Sequence, residues 1–276
     1  MSASYIAKRC ACKVARENTW PAKTRCEKRG AVSQYTRAQV HSPKSLSEGR
    51  NWALLWPVAL LAAWTMAWFV ELRLRDAFAW DTSADTIYWI AMKVALWVVP
   101  VIVILRRERI TVLPFVQLTE PLRGAGIGLL GGFGLLAFSF AMDAALGSAS
   151  FNVPVLDLAL LNGVLVAPLV EEFAVRGFYL ELLERGLNQS SPQSTHQSTT
   201  TPFMTANVRA GLVFVALHLP GWYFQGRLRS PLSMIQTAVF LWLLALLLGW
   251  LKKTSGSLYA PMVMHILNNV YAASRG

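Results

Sequence analysis

The sequence predicts an all-α fold, a polytopic helical bundle in a membrane with about seven transmembrane helices. Of the 276 residues, 54% are apolar and only 15% are charged, whereas soluble domains contain about 25% charged residues. The mean hydropathy is +0.40. From residue 51 onward, apolar stretches long enough to cross a bilayer follow one another along the chain.

The first 50 residues differ in composition from the rest and predict a basic, disordered cytosolic tail before a membrane domain at 51–276. Eleven Lys and Arg against three Glu give this tail a charge of +8, and the other 226 residues carry only +3 of the total of +11. It has no apolar period and no signal-peptide core. The three cysteines, which lie in this tail without a paired CxxC or a nearby His, are predicted to be free thiols: Cys10, Cys12 and Cys26.

Seven apolar stretches are predicted to span the membrane. They are Trp52–Leu72, Thr86–Leu105, Arg123–Leu146, Val155–Leu183, Asn207–Leu219, Pro231–Leu251 and Ser257–Ala273. The fifth is short because Pro220 is expected to end it. Between the fourth and fifth spans, the Ser-, Thr- and Gln-rich segment Ser190–Thr201 is typical of a flexible loop.

Two spans carry further signals. In the second, Lys93 is expected to extend its side chain toward the interface. In the third, Gly124, Gly128 and Gly132 repeat every four residues, a pattern that lets two membrane helices approach closely.

The distribution of basic residues places the N-terminus in the cytosol. With that orientation the cytosolic side has nineteen Lys and Arg, eleven in the tail and eight between spans, and the outer side has five. The eight are Arg106, Arg107, Arg109, Arg123, Arg185, Arg209, Lys252 and Lys253, and the five are Arg73, Arg75, Arg227, Arg229 and Arg275. The basic charge is therefore interpreted as a signal of orientation in a lipid bilayer, with no nucleic-acid partner.

Charged and polar residues interrupt three of the apolar spans. Glu171, Glu172 and Arg176 lie in the fourth. Glu172 and Arg176 are four residues apart and are predicted to pair on one helical face, while Glu171 points about a hundred degrees away. An ionised carboxylate at membrane depth is costly, so such residues usually face a cavity or a partner.

The fifth and seventh spans contribute His218 and, four residues apart on one face, His265 and Asn269. At 1.5 Å per residue, Glu171, His218 and His265 are each about 12–18 Å from the cytosolic ends of their predicted spans. The alternating directions of these spans should bring the three residues into one layer.

Such a set of residues can catalyse hydrolysis. A carboxyl group that is shielded from water and lies beside a second one holds its proton more tightly, so it can accept a proton from water near neutral pH. Imidazole can orient that water or protonate a leaving amine, and the side chain of Asn269 can stabilise an oxyanion. The alternative is a zinc site formed by Glu171, His218 and His265 with water as the fourth ligand. No HExxH motif is present to support that alternative.

Three motifs in order identify a resemblance. EEFAVR at Glu171–Arg176 fits EExxxR, FVALH at Phe214–His218 fits FxxxH, and HILNN fits HxxxN from His265 to Asn269. Residues 120–275 thus resemble the CPBP family of CAAX-processing, bacteriocin-processing and Abi-type intramembrane proteases. This resemblance implies an intramembrane endopeptidase with a cytosol-facing cavity and with Glu171 as the residue that activates water. It also implies that the motif His and Asn residues support the water and the oxyanion.

The resemblance leaves two chemistries and several substrates open. Members of the family have been described both as zinc metalloproteases and as metal-independent glutamic proteases. A prenylated CaaX tail, a leader peptide or a sorting tail would each suit as a membrane-associated substrate, and the expected location is a bacterial inner membrane. Two other functions remain: a non-catalytic immunity or scaffold protein, and a proton-coupled transporter. The transporter has no inverted repeat in its favour.

The orientation can be tested with reporter fusions. A fusion at Gln193 should report the cytosol and a fusion at Asp81 should report the outer side, because of the nineteen-to-five charge bias. Alkaline phosphatase, active only outside, and green fluorescent protein, fluorescent only inside, give opposite signals at each site. Outer activity at Gln193 together with cytosolic fluorescence at Asp81 would reverse the assignment.

Overall fold

The structure is a computed structural model that describes residues 46–147, 151–190, 200–226 and 230–275. In these ranges all regular secondary structure is helical, with no strand, which confirms the all-α prediction. The eight helices are α1 (Leu46–Phe78), α2 (Thr82–Arg107), α3 (Val112–Val116), α4 (Pro121–Ala145), α5 (158–190), α6 (Thr200–Phe224), α7 (Pro231–Ser255) and α8 (Tyr259–Ser274). The predicted basic tail lies outside the described residues except for its last five, which begin α1.

Six stretches of the described chain are long and apolar enough to cross a membrane. They are Trp52–Phe78, Thr82–Arg107, Val112–Ala145, Leu158–Asn188, Thr201–Phe224 and Pro231–Ser255. The predicted seventh span is helix α8, which with 16 residues is shorter than these six. The chain is therefore an integral membrane protein with six candidate spans and one short additional helix in the described bundle.

The predicted fifth span was too short. Helix α6 begins at Thr200, seven residues before the predicted start, and continues through Pro220 to Phe224. Proline removes one backbone hydrogen bond, but membrane helices tolerate it where neighbouring groups compensate. Because Ser190 ends α5 and Thr200 begins α6, the predicted loop is reduced to 191–199, which lies outside the described residues.

Two of the spans contain π-helical turns where regular α-helix was expected. Val94–Val98 in α2 and Asn162–Val166 in α5 each precede, by two residues, a proline inside the helix, Pro100 or Pro168. A proline ring clashes with the carbonyl four residues earlier, and a wider turn relieves that clash. A third π-helical segment, Glu172–Tyr179, contains no proline and carries the predicted ion pair.

The glycine repeat in α4 packs directly against α8, as predicted. A Cβ atom added at Gly124 would lie 2.5 Å from Ser257 Oγ, and one added at Gly128 would lie 2.5 Å from the carbonyl oxygen of Ala260. At Gly132 the nearest atom would be Leu267 Cδ1, also in close contact. Helices α4 and α8 approach closely because glycine has no side chain at these three positions of the interface.

Tryptophans join α1 to α2. The rings of Trp64 and Trp97 meet edge to face at 5.4 Å, and Trp68 lies 4.1 Å from Trp89 between ring centroids. Trp64, Trp89 and Trp97 are buried. This aromatic cluster forms one wall of the space beside α5.

Packed side chains close the end of the bundle at which α7 ends and α8 begins. Phe115 and Val116 of the short helix α3 are buried there together with Leu258. The amide of Leu258 donates to the carbonyl of Gln117 at 2.9 Å, and Ser257 Oγ donates to the carbonyl of Thr119 at 2.6 Å. Helix α3 thus seals the bundle at this end.

The contact between α4 and α8 can be tested with two alanine substitutions. Gly128→Ala places a methyl group against the backbone of α8, so it should destabilise the protein by about 1–3 kcal/mol. Gly126→Ala is the matched control, because a Cβ atom there has no neighbour within 4 Å. Thermal unfolding in detergent should show a lower Tm for Gly128→Ala alone. Equal values for the two variants would mean that the close approach is not needed for stability.

Candidate active site

The predicted pair of Glu172 and Arg176 is formed in the core of the bundle. Arg176 Nη1 lies 3.0 Å from Glu172 Oε1, and the two residues are 1% and 0% exposed. Arg176 Nη2 also donates to the carbonyl of Ala245 in α7 at 3.3 Å. The guanidinium lies 4.1 Å above the ring of Phe214 in α6, which is a cation–π geometry. One ion pair therefore joins α5 to α6 and α7.

The same carboxylate positions His265. Its Nδ1 lies 2.9 Å from Glu172 Oε1, and because the carboxylate paired with Arg176 is an acceptor, Nδ1 carries the donated proton. The other ring nitrogen, Nε2, lies 4.0 Å from Glu171 Oε2. Glu172 thus holds the imidazole so that its second nitrogen faces Glu171.

The tautomer of His218 is set by its own helix. Its Nδ1 donates to the carbonyl oxygen of Phe214 at 2.8 Å, since a carbonyl can only accept. In the neutral ring, Nε2 is then an acceptor. The Phe214 ring lies 4.7 Å from the His218 ring and 6.0 Å from the His265 ring, edge to face in both cases. The phenylalanine of the FxxxH motif therefore supports both histidines.

Glu171 and His218 line one cavity of about 240 Å³. The side chain of Glu171 is 13% exposed, whereas that of Glu172 is fully buried. The other lining residues are mostly aromatic or apolar: Trp64, Trp68, Trp97, Leu217, Gly221, Trp222 and Gln225. Close packing at Gly221, where an added Cβ atom would lie 3.1 Å from Trp68 Cζ2, joins α6 to this wall.

Asn269 lies one turn after His265 on α8 and is bonded to α5. Its Nδ2 donates to the carbonyl of Gly163 at 2.9 Å, and its Oδ1 accepts from Asn268 Nδ2 at 3.2 Å. Gly163 belongs to the first π-helical turn of α5. The structure therefore brings Glu171, Glu172, Arg176 and His265 into one group with His218 across the cavity, and it places Asn269 beside them against the backbone.

Two lysines that the sequence analysis assigned to the membrane interface or to loops have partners inside the bundle. Lys93 does not extend to the interface: its Nζ donates to Asn162 Oδ1 on α5 at 2.8 Å. Lys252, only 3% exposed, donates to the carbonyl of Arg176 at 2.8 Å and to Glu181 Oε2 at 3.1 Å. In the sequence, a cation inside or at the end of an apolar span indicates a buried partner. The spacing of residues along the chain does not identify that partner.

The zinc alternative is not supported by the geometry. In the part of the chain that the structure describes, no three His, Cys, Asp or Glu side chains are arranged so that they could hold a metal ion. Glu171, His218 and His265 are not arranged as such a group among the described residues. His265 and His218 each use Nδ1 for a hydrogen bond, to Glu172 and to the carbonyl of Phe214, which leaves Nε2 of both rings without a proton.

The buried pair predicts a large stability difference between two arginine substitutions. Arg176→Ala should cost about 3–5 kcal/mol because it leaves the Glu172 carboxylate buried without its cation. Arg123→Ala is the control, since its partner Glu120 is exposed and such surface pairs contribute little. Tm and membrane abundance, measured side by side, should fall only for Arg176→Ala. Normal abundance and an unchanged Tm for Arg176→Ala would exclude a structural role for the pair.

Comparison with known proteins supports the interpretation of the motifs. Residues 154–271 match the family model described as type II CAAX prenyl endopeptidase Rce1-like. The matched segment contains all six predicted site residues. It begins at residue 154, well after residue 120, where the resemblance was predicted to begin. No curated protein and no solved structure gives a significant match. Residues 154–271 are therefore similar to the Rce1-like family of type II CAAX prenyl endopeptidases, and this similarity supports an intramembrane protease in general.

Proposed function

We propose that this protein is a glutamic-type intramembrane endopeptidase that hydrolyses a peptide bond of a membrane-associated protein with a water molecule activated by Glu171. The observation that carries the proposal is the placement of Glu171: its carboxylate faces a cavity shared with His218 and lies 4.0 Å from His265 Nε2. A gap of that size is one that a single water molecule can bridge.

Glu171 acts as the general base. It takes a proton from the water, and the oxygen attacks the carbonyl carbon of the scissile peptide bond to give a tetrahedral intermediate. The acceptor nitrogen Nε2 of His218 orients the water from across the cavity. The proton then passes to the leaving amine, the carbon–nitrogen bond breaks, and a carboxylate and an amine are released.

Glu172 and Arg176 are positioning residues in this scheme. Glu172 is buried and shared between Arg176 and His265, so it is not available to the substrate. Its role resembles that of a carboxylate that orients a catalytic imidazole through the nitrogen away from the reaction. Replacing it would release His265 and leave Arg176 unpaired at the same time.

Asn269 stabilises the oxyanion in the proposal. One N–H of Asn269 is used by the carbonyl of Gly163, and its carboxamide has a second, which is the donor assigned to the developing negative charge. The bond to Gly163 fixes the carboxamide in advance, which is what such a donor requires. His265 Nε2 has no proton while Nδ1 donates to Glu172, so it accepts a hydrogen bond from the water beside Glu171.

The location completes the proposal. The protein lies in a bacterial inner membrane with its N-terminus in the cytosol, as the charge bias suggests. Candidate substrates are a CaaX-type tail, a leader peptide or a sorting tail, all of which are anchored in or at the bilayer. The proposed mechanism uses only side chains of this chain, and chelators distinguish it from the zinc alternative.

Glu171→Gln is the decisive substitution. It is nearly isosteric, so the fold should be preserved while cleavage falls by about 10² to 10⁴ if Glu171 is the general base. Protein termini in membranes from cells with the wild-type or the substituted gene should be compared by mass spectrometry. Termini that disappear with Glu171→Gln identify substrates, which then serve for rate measurements with purified protein.

The controls separate catalysis from folding and from the alternatives. Glu120→Gln, at an exposed surface carboxylate, should leave the termini unchanged. His218→Ala and His265→Ala should each reduce cleavage strongly, and the double variant should add little because the residues act as a unit. Cleavage should persist in EDTA or phenanthroline. Full cleavage by Glu171→Gln would refute the mechanism, and reversible loss in the chelators would restore the zinc alternative.

A further inference from the structure

We infer that the cavity receives its substrate from the extracytoplasmic face of the membrane, and that this substrate is a membrane-anchored segment of an exported protein. The substrate class rests on the proposed protease function, whereas the direction of access does not. Four groups of observations support the inference: the path of the cavity, the seal at the opposite end, the distribution of basic residues, and the chemistry of the cavity wall.

The cavity follows α6 toward the end of that helix. It includes His218, then Gly221 and Trp222, and finally Gln225, which follows the last residue of α6 and is exposed. Seven residues of helix cover about 10 Å, so the cavity extends from Glu171 to the membrane face at which α6 ends. A substrate can reach the carboxylate along this side of the bundle.

The path in the other direction is blocked. On α5, Glu172 and residues 174–180 are buried, and a Cβ atom added at Gly177 would lie 3.1 Å from both Val116 of α3 and Leu258. Beyond them, Lys252 Nζ is bonded to the carbonyl of Arg176 and to Glu181. Packed side chains and a buried ion pair therefore fill the space between Glu171 and the end of the bundle closed by α3.

The closed end is the basic one. Arg106, Arg107, Arg123 and Lys253 lie at helix ends on that side, at the end of α2, the start of α4 and the end of α7. The opposite side contains the end of α6. The ends of α4 and α8 lie there too, since the chain between α4 and α5 is bonded to the end of α8, with Asn152 N donating to the carbonyl of Ser274 at 2.7 Å. By the nineteen-to-five bias, the basic side is cytosolic and the open side is outside.

The chemistry of the cavity wall suits an internal peptide bond beside an apolar anchor. Four tryptophans line the cavity. Two of them, Trp68 and Trp97, have buried indole N–H groups without an acceptor among the described residues, so a peptide carbonyl would find donors there. The lining contains a carboxylate but no Lys or Arg. A CaaX tail ends in a free carboxylate three residues after its prenylated cysteine and would gain no cation in this cavity.

Cysteine labelling tests the direction of access without requiring activity. Gln225→Cys and Thr254→Cys are a matched pair, both exposed and at opposite ends of the bundle. Both are introduced with Cys10, Cys12 and Cys26 replaced by serine. In intact spheroplasts a membrane-impermeant maleimide should label Gln225→Cys at least tenfold more than Thr254→Cys, and disruption of the membrane should make the two equal. Labelling of Thr254→Cys alone in intact spheroplasts overturns the inference.

The termini that depend on Glu171 test the substrate class. Those lost in Glu171→Gln cells should map to the outer end of membrane anchors in exported proteins. Lost termini that map to cytosolic tails overturn the substrate class while the protease function stands. Identical termini in the two strains overturn the protease function and with it the substrate class, and the labelling result still decides the side from which the cavity is reached.

Discussion

The structure depends on one buried carboxylate. Glu172 is shared between Arg176 and His265, and Arg176 in turn contacts α6 and α7. A buried charge without a partner costs several kcal/mol, so these groups are stable only when all four helices α5, α6, α7 and α8 are in place. The interaction that orients the candidate catalytic His265 is therefore also a condition of correct helix packing. Loss of packing at any of the four helices should disturb the site.

The two adjacent glutamates show how neighbouring residues acquire different roles. Glu172 has no exposed surface and two partners, whereas Glu171 is 13% exposed and faces a cavity. Adjacent residues on a helix point about a hundred degrees apart, so one can serve the core while the other serves the cavity. The π-helical segment that begins at Glu172 widens the helix where these roles diverge. The EExxxR motif thus combines a structural ion pair with a chemically available carboxylate.

Sequence reasoning succeeded where an interaction is local or repeats along one helix. The i,i+4 pair of Glu172 and Arg176 and the glycine face of α4 follow from spacing alone, and both are present. It failed where the outcome depends on neighbouring helices. Lys93 meets Asn162 and Lys252 meets the carbonyl of Arg176, contacts that span 69 and 76 residues of chain. The π-helical turns and the passage of α6 through Pro220 likewise depend on how surrounding groups compensate the backbone.

A cytosolic N-terminus and a cytosol-facing cavity cannot both hold in this fold. Five of the six candidate spans lie between the start of α1 and the end of α6, and an odd number of crossings puts these two points on opposite faces. The cavity extends toward the end of α6, so a cytosolic N-terminus turns it outward. The family match begins at residue 154, which leaves α1 to α4 outside it. The face that the site serves is therefore set by how many spans precede the matched core, and one span more or fewer would turn the same residues toward the other compartment.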